Sequence, residues 1–396
     1  MTTTILITIC ILLLIAYIFD VSSSKTKIPS VILLLLIGWV VKQITNNFQI
    51  FVIDLSPILP ILGTIGLILI VLEGSLEIEL NKSKLPFVGK TTIISFVPIL
   101  IFAFGLAAAF QYFENVSFKI ALANAIPFAI ISSSIAIPSA QNLPAKDREF
   151  ITFESSLSDI FGVLFFNFIT LNDEIGFALA GNFVVEIILM LLISFIATIG
   201  LAYLLSKIKH HVKYLPIILI IVLIYNISKM FHLPALIFIL IFGIILGNID
   251  EIKNLRFIKN FQLATLQREV HKFKELTIEI VFLVRALFFI LFGYLINTSE
   301  LLNSESIIWA LSISIGIFFI RFIIFKIARI KINPLLYIAP RGLITILLFL
   351  SIPLNQQMRL VNNSLLIQVI IITAFIMMLG LMSVKPEVKE VEKVPN

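Results

Sequence analysis

The chain has 396 residues, of which 60% are hydrophobic and 13% are charged, and its mean hydropathy is +1.11. This composition excludes a soluble globular protein, and apolar runs of about twenty residues exclude a membrane barrel, whose strands alternate in polarity. The net charge of +6 comes from basic residues scattered among short loops, which does not indicate nucleic-acid binding, and a single cysteine excludes a disulfide framework.

Apolar runs separated by polar breaks predict an all-α, polytopic membrane protein with thirteen transmembrane helices. In chain order the predicted spans cover about residues 5–19, 28–45, 56–73, 91–112, 118–139, 150–171, 177–205, 214–230, 233–249, 278–297, 306–326, 334–353 and 365–384. The first run lacks the basic segment and the cleavage site of a signal peptide, so we expect it to be retained.

Lysine and arginine are unevenly distributed between the two sets of alternating loops. The set that begins after the first span, taken with the C-terminal tail, holds 22 of the 29 basic residues, whereas the opposite set holds four. Because cytoplasmic loops are enriched in basic residues, we expect a multi-pass cell-membrane protein with its N-terminus outside and its C-terminus in the cytoplasm.

Two pairs of segments indicate an inverted repeat. Residues 28–38 and 233–243 both contain a proline followed by an apolar run that ends in glycine, and they lie seven spans apart, so the copies point in opposite directions. Residues 127–138, with two prolines around three serines, and residues 340–342 (Pro-Arg-Gly) interrupt the fifth and twelfth spans. Crossed, broken helices around a midplane site are typical of secondary transporters with inverted repeats.

The sixth span contains two carboxylates, Glu154 and Asp159, within residues 153–162. An aspartate at the centre of a transmembrane helix costs roughly 2.5–3.5 kcal/mol, so such residues usually face a partner or a wet cavity. Glu154, Ser158 and Asp159 are spaced i, i+4 and i+5, and we expect them on one face of the helix with Ser155 beside them. Serines alone would suit a polar contact between helices, but two acids favour an ion or proton site.

Arg321 lies deep in the eleventh span, where its side chain cannot easily reach the membrane surface. It therefore requires a buried anion, for which Glu154 is the natural candidate. A carboxylate paired with arginine stays ionised, whereas an unpaired buried carboxylate can take up a proton. We expect Glu154 and Arg321 to form a structural ion pair, and Asp159 to carry a proton and a cation alternately.

Three further acids and one arginine lie within the spans or at their ends. Glu73 ends the third span and is compatible with either an interfacial position or a ligand role. Glu279 begins the tenth span, and we expect it to be interfacial. Glu186, midway along the seventh span, is either a lone protonated acid or a partner for Arg285.

Four short motifs follow one another in an order that a known family shares. Residues 154–159 (Glu-Ser-Ser-Leu-Ser-Asp) are similar to a Glu-Ser-x-x-Asn-Asp signature, and residues 72–77 (Leu-Glu-Gly-Ser-Leu-Glu) to a Phe-Glu-Gly-Gly-Leu stretch. Residues 341–353 begin with Arg-Gly and end with Leu-Ser-Ile-Pro, and Arg321 matches an arginine one helix earlier. In these motifs the chain resembles the monovalent cation–proton antiporters, the NhaP-like and eukaryotic sodium/proton exchangers.

The resemblance implies a thirteen-helix antiporter fold over residues 1–384, followed by a short cytoplasmic tail at residues 385–396. It also implies a homodimer with elevator-like alternating access. The expected dimerisation and transport parts cover, respectively, about residues 1–75 with 177–297 and about residues 91–171 with 306–384.

By the same resemblance, Asp159 is the principal ion ligand, with Ser155, Glu73 and the backbone of the interrupted fifth span nearby. Oxygen ligands suit a hard monovalent cation, so we expect Na⁺ or K⁺ to bind at Asp159 in competition with a proton. The complete set of expected ion- and proton-binding residues is Asp159, Ser155, Ser158, Glu73, Ser133 and Ser134. The resemblance also implies that Glu154 pairs with Arg321, and we expect Arg341 to support the broken twelfth span.

Two departures from the family pattern concern the choice of cation. Ser158 stands where these relatives have asparagine, and Ser-Ser-Ser-Ile-Ala at residues 132–136 replaces their Thr-Asp-Pro, which is more similar to the potassium-efflux (Kef-type) branch. The choice between Na⁺ and K⁺ therefore stays open. With Asp159 as the only titrating carrier, exchange is electroneutral; a second titrating acid, such as Glu73, would change this.

Three other functions are compatible with these residues: a cation channel, a proton-coupled solute carrier on a related scaffold, and a non-transporting sensor subunit. Against a channel, no repeated selectivity filter is visible, and no phosphate-binding glycine-rich loop supports an ATP-driven pump. We predict a transporter rather than an enzyme, in contact with the lipid bilayer and without a cofactor or a nucleic-acid partner.

Overall fold

A computed structural model describes residues 2–50, 54–78, 84–171, 177–208, 210, 212–231, 233–252 and 263–383, and every regular element within these ranges is helical. In chain order the α-helices are α1 (Thr2–Thr26), α2 (Ser30–Asn47), α3 (Ile58–Glu77), α4 (Leu85–Glu114), α5 (Phe118–Ala129), α6 (Ser133–Ser139), α7 (Ala145–Leu171), α8 (Phe177–Lys207), α9 (Tyr214–Met230), α10 (Leu236–Gly247), α11 (Ile249–Ile252), α12 (Leu263–Leu295), α13 (Thr298–Leu301), α14 (Ser304–Ile327), α15 (Leu343–Leu350) and α16 (Asn363–Met382). Two short 3-10 turns, Leu335–Tyr337 and Leu354–Gln356, flank α15. The expected tail, residues 385–396, lies outside the described residues.

Each of the thirteen predicted spans corresponds to a helix or to part of a broken helix. Within the described ranges, nine segments are apolar and at least 18 residues long, enough to cross a bilayer, while α9 and α10 are shorter apolar helices. Composition alone does not mark α7 as a span because it carries six charged residues. The all-helical, polytopic architecture predicted from the sequence is confirmed.

Two broken helices meet at the centre of the fold. Helix α5 ends at Ala129, and α6 begins at Ser133 after a non-helical stretch at residues 130–132. In the second half of the chain, residues 338–342 are non-helical before α15 begins. The backbone N–H of Ser132 donates to the carbonyl of Pro340 at 2.9 Å, so the two breaks are in direct contact.

The position of the first break differs slightly from the serine run that suggested it. Ser133 and Ser134 lie in the first turn of α6, and Ser132 is its N-cap residue. Serine is favoured at the start of a helix because its hydroxyl can compete for backbone hydrogen bonds there. The serines therefore start the second half-helix, and the apolar pair at residues 130–131 lies in the break.

The helices form two groups, and α3 contacts both. Direct contacts link α4, α5, α6, α7, α14, α15 and α16 into one group. The second group contains α1, α2, α8, α9, α10 and α12. Helix α3 packs on α10 and α12 on one side and on α6, α7 and α15 on the other. The assignment of these groups as transport and dimerisation parts stays a prediction.

Helices α2 and α12 approach closely through two glycines. A Cβ atom added at Gly38 of α2 would overlap the carbonyl oxygen of Ile290 and lie 2.8 Å from the amide nitrogen of Tyr294. One added at Gly293 of α12 would likewise overlap the carbonyl oxygen of Leu35. Small residues stabilise membrane helix pairs because they let the two backbones come into contact.

Replacing Gly38 by alanine should force α2 and α12 apart and destabilise the protein by about 1–3 kcal/mol, the usual cost of overpacking. The measurement is the thermal unfolding temperature of the purified protein in detergent. Gly200→Ala in α8 is the matched control, because no atom lies within 4 Å of a Cβ added there. Equal unfolding temperatures for the two variants would contradict the close contact.

Candidate functional site

Asp159 is buried at the centre of α7 and is only partly satisfied. The residue is 2% exposed. One carboxylate oxygen, Oδ2, accepts hydrogen bonds from the backbone N–H of Ser133 at 3.3 Å and from the Ser133 hydroxyl. The other oxygen, Oδ1, has no hydrogen-bond partner among the described residues. The site therefore presents one free carboxylate oxygen beside the start of α6.

The break between α5 and α6 is held by partners from two places in the chain, α7 and the segment before α15. Residues 130–133 are buried in the protein, so their backbone polar groups need protein partners. Three consecutive N–H groups donate as follows: Ile131 to the hydroxyl of Ser158 at 2.9 Å, Ser132 to the carbonyl of Pro340 at 2.9 Å, and Ser133 to Asp159 at 3.3 Å. The same contacts that satisfy the break thus fix the position of Ser133 against Asp159.

Glu154 and Arg321 form a fully buried, bidentate ion pair. The guanidinium nitrogens donate to the two carboxylate oxygens at 2.5 and 2.8 Å, and the side chains of Arg321 and Glu154 are 3% and 1% exposed. Arg321 also lies over the ring of Phe325, 4.4 Å from its centroid. Its remaining bonds go to the carbonyls of Leu335, Leu336 and Ile338. The pair ties α7 to α14 and to the segment before the second break.

Arg341 lies in the second break and supports the end of α5. It donates to the carbonyl oxygens of Phe128 at 2.8 Å and Ala129 at 3.2 Å, the last residues of that helix, and to that of Ala339 at 2.7 Å. The last carbonyls of a helix have no partner within it and carry partial negative charge. A cation buried at this position therefore satisfies both broken ends of the backbone.

The expectation that Glu154, Ser158 and Asp159 share one face of α7 is wrong in detail. Each contacts a different element: Glu154 contacts α14, Ser158 the break at Ile131, and Asp159 the start of α6. Five residues at about 100° each turn the helix by 140° beyond a full circle, so residues i and i+5 diverge. This divergence separates the ion pair from the free carboxylate.

The serines of α7 and α6 differ in how their hydroxyl groups are bonded. Ser155 donates to the carbonyl of Ile151 at 2.7 Å, which leaves its lone pairs free, and Ser134 bonds to Ser132 at 2.8 Å. Ser156, which sequence reasoning passed over, is 2% exposed, and its hydroxyl oxygen has no partner among the described residues. Its spacing from Asp159, i and i+3, is the signal that could have found it.

Arg285 has a partner that the sequence did not suggest. Its guanidinium lies 3.4 Å from a carboxylate oxygen of Asp20 on α1, and the same oxygen accepts from the hydroxyl of Ser30 at 3.2 Å. Glu186, the acid considered for this role, lies on α8. Asp20 was missed because it falls one residue beyond the predicted first span.

A cavity of about 650 Å³ leads from one end of the helix bundle to α6. Ser133 and Ser134 lie in its wall on one side, and Glu73 and Arg285 lie in the wall on the side of α3 and α12. Glu279 also faces this cavity, midway along α12, because that helix begins fifteen residues earlier than the predicted tenth span. The cavity thus brings Glu73 and the two serines to one space that adjoins Asp159.

A second cavity, of about 350 Å³, lies toward the other ends of α3 and α7. It is lined by apolar residues such as Leu67 and Leu347 and by a few polar ones, among them Asn167, Tyr225 and Lys229. Asp159 lines neither cavity. Among the described residues, no group of three or more His, Cys, Asp or Glu side chains is placed to hold a metal ion.

Comparisons with known proteins match nearly the whole chain. The family model described as "Sodium/hydrogen exchanger, transmembrane" matches residues 10–388. Two solved structures of the sodium proton antiporter MjNhaP1 from Methanocaldococcus jannaschii, one of them at pH 8 and one an electron-microscopy map, align with a TM-score of 0.62 at 18% identity. The alignments cover 96% of this chain and 96% and 95% of the other chains. At this identity the structural likeness shows the fold alone. A search of curated proteins found no match.

Glu154→Gln should destabilise the protein by about 3–5 kcal/mol because it leaves Arg321 buried without its counter-charge. The expected result is a much lower unfolding temperature and a reduced yield of folded protein. Adding Arg321→Gln should recover part of the loss.

Lys331→Gln provides the matched control. It breaks an ion pair with Asp147 in which the lysine is 60% exposed, and exposed pairs contribute about 0–1 kcal/mol. If Glu154→Gln and Lys331→Gln unfold at the same temperature, the buried pair is not what stabilises the junction of α7 and α14.

Proposed function

Because the chain belongs to the transmembrane sodium/hydrogen exchanger family, we propose that it exchanges Na⁺ or K⁺ for protons at Asp159. As a member of this family it is a multi-pass membrane transporter rather than an enzyme, and cation/proton antiport needs no cofactor. The free Oδ1 of Asp159, beside a cavity that reaches Ser133 and Ser134, is the observation that carries the proposal.

The carrier mechanism follows from competition for one carboxylate. Ser133 holds Oδ2 with its N–H and hydroxyl groups, which leaves Oδ1 available to either a proton or a cation. A cation that enters would find further oxygens on Ser134 and Ser155, ligands that suit a hard ion, while Ser158 fixes the break. Proton and cation exclude each other at Asp159, so one complete transport cycle exchanges one cation for one proton. Such a cycle moves no net charge.

Of the acids near the site, Asp159 is the best candidate for the carrier. Glu154 is already bonded twice to Arg321, so it cannot bind a cation without breaking a buried pair. Glu73 is half-buried in the cavity wall, on the opposite side from Ser133. There it attracts cations toward the site, and it would alter the stoichiometry only if it released a proton in each cycle.

The two cavities support alternating access of the elevator type. The larger one adjoins the site, whereas the opposite path is closed where α15 packs on α3: a Cβ at Gly66 would lie 3.3 Å from the Leu343 side chain, and one at Gly63 would overlap the Leu347 side chain. Movement of the α4–α7 and α14–α16 group along α3 would close the first cavity and open the second. The described structure would then be the state open to the side of the larger cavity.

We assign that side to the cytoplasm, with the N-terminus outside and the C-terminus inside a cell membrane. The Lys84–Glu149 pair, at 2.6 Å, joins the starts of α4 and α7, which the charge distribution places there, and both residues line the larger cavity. On the other side, Lys42 near the end of α2 donates to Asn297 at 2.7 Å. Each bond links chain segments assigned to the same side of the bilayer.

Homodimerisation is proposed for about residues 1–75 and 177–297, which contain the second helix group together with most of α3. Helix α8 exposes Ile188, Leu192, Phe195 and Ile196, which a second copy of the chain or lipid would cover. A dimerisation part held against its partner would give the moving group a fixed support.

Asp159→Asn should abolish exchange because an amide cannot alternate between a proton and a cation. The assay uses purified protein in liposomes that contain a pH-sensitive dye, with a pulse of Na⁺ or K⁺ outside. Asp147→Asn, the same chemical change on the same helix in a residue paired with Lys331, should retain exchange. Wild-type rates in Asp159→Asn would refute the assignment.

Titration of Na⁺, K⁺ and Li⁺ in the same liposomes identifies the cation, and repeating it under an imposed membrane potential tests the stoichiometry. One-for-one exchange predicts rates that do not change with the potential. A rate that depends on the potential would require a second titrating group, for which Glu73→Gln is the first variant to test.

A further inference from the structure

Two buried oxygen atoms of α7 lack hydrogen-bond partners among the described residues, and they lie on the same side of the helix. They are Oδ1 of Asp159 and Oγ of Ser156, in residues that are each 2% exposed. Residues at i and i+3 are neighbours on a helix surface, with Cβ atoms about 5–6 Å apart. Buried polar atoms are nearly always bonded, so two unbonded oxygens this close require an explanation.

Gly74 of α3 provides the space that Ser156 occupies. A Cβ atom added at Gly74 would lie 2.6 Å from the Ser156 hydroxyl oxygen and 3.6 Å from its Cβ. The side chain of Ile137 in α6 is the next neighbour, 3.8 Å away. The hydroxyl therefore lies where α3, α6 and α7 meet, beside the residue that follows Glu73.

We propose that the Ser156 hydroxyl is a ligand of the transported cation, which it binds together with Oδ1 of Asp159. This inference rests on the proposed function and adds to it a residue outside the expected ligand set. An alkali cation satisfies both oxygens at once, because each oxygen can direct a lone pair to it. The hydroxyl of Ser156 is neutral, so adding it to the site leaves one-for-one exchange intact. Ser156 then contributes to the affinity for the cation and to the choice between Na⁺ and K⁺, but not to proton binding.

The first test is Ser156→Ala in the liposome assay. The KM for the cation should rise on the order of tenfold, as expected when one neutral ligand is lost, with little change in the maximal rate. The ratio of the KM values for Na⁺ and K⁺ should change as well, which a purely structural effect would not cause. Ser314→Ala in α14 is the matched control. It removes a similarly buried hydroxyl that, among the described residues, bonds to the Ala310 carbonyl, and its KM should stay within twofold of wild type.

Gly74→Ala tests the same contact from the other helix. The new methyl group would displace the Ser156 hydroxyl, so this variant should raise the KM in the same direction as Ser156→Ala. In the double variant the two methyl groups are in ordinary contact, and the effects should not add. Gly74→Ala also keeps the proposal testable if Ser156→Ala fails to fold.

The outcomes separate this inference from the proposed function. If wild type shows no cation-driven proton flux, or Asp159→Asn retains it, the proposed function fails. If Asp159 is required but Ser156→Ala or Gly74→Ala leaves both the KM and the Na⁺/K⁺ ratio unchanged, only the Ser156 ligand is overturned. Additive effects of the two substitutions would likewise overturn it, because they would then act at independent places.

Discussion

Within a bilayer no water is available to satisfy a peptide group, and this constraint organises the centre of the molecule. Two helices are broken at the same depth, and each broken end exposes amides or carbonyls that must find partners in the protein. The amides at residues 131–133 bind Ser158, Pro340 and Asp159, while Arg341 binds the carbonyls at the end of α5. The proposed ion site thus shares its residues with the groups that satisfy the two breaks, which is why it lies where the broken helices cross.

The same centre contains four buried charges in two different arrangements. Glu154 and Arg321 neutralise each other through two direct bonds, and Arg321 uses its other donors on carbonyls. Among the described residues, the guanidinium group of Arg341 bonds to carbonyl oxygens, and the carboxylate of Asp159 bonds to Ser133. Because Asp159 bonds to a neutral residue, it can bind or release a proton or a cation without leaving an opposite charge unpaired. Glu154 cannot do so without leaving Arg321 unpaired. The geometry therefore separates a permanent structural pair from a carboxylate that is free to react.

Features that depend on one helix or on simple pairing could be read from the sequence. The spans followed from apolar runs, and the contact between Glu154 and Arg321 followed from the need of a deep arginine for an anion. Features that depend on rotation and depth could not. Glu154, Ser155, Ser158 and Asp159 were expected on one face, although the five steps from Glu154 to Asp159 turn the helix by 140° beyond a full circle. Asp20 was omitted because it lies at a span boundary.

The bonding of individual hydroxyl groups was also beyond the sequence. Ser155, Ser156 and Ser158 are the same residue type within four positions, yet their bonding differs. Ser155 donates to its own helix, Ser156 has no partner among the described residues, and Ser158 accepts from the backbone N–H of the break between α5 and α6. Only the packing of α3 and α6 against α7 distinguishes them. The functions proposed for these serines consequently depend on tertiary contacts rather than on the motif.

Helix α3 packs on α10 on one side and on α7 on the other. Gly243 and Gly247 of α10 sit directly against Ser75 and Leu76, whereas α7 meets α3 where Gly74 leaves room for a serine. In the proposed elevator movement, Glu73 would belong to the stationary part and Asp159 to the group that moves past it. The distance between Glu73 and Asp159 would then differ between the two ends of the movement. Glu73 would assist the ion on one side of the membrane and be out of reach on the other. Such a carrier would be half-saturated at different cation concentrations on its two sides. This asymmetry would arise because Glu73 is on α3, which would not move with Asp159.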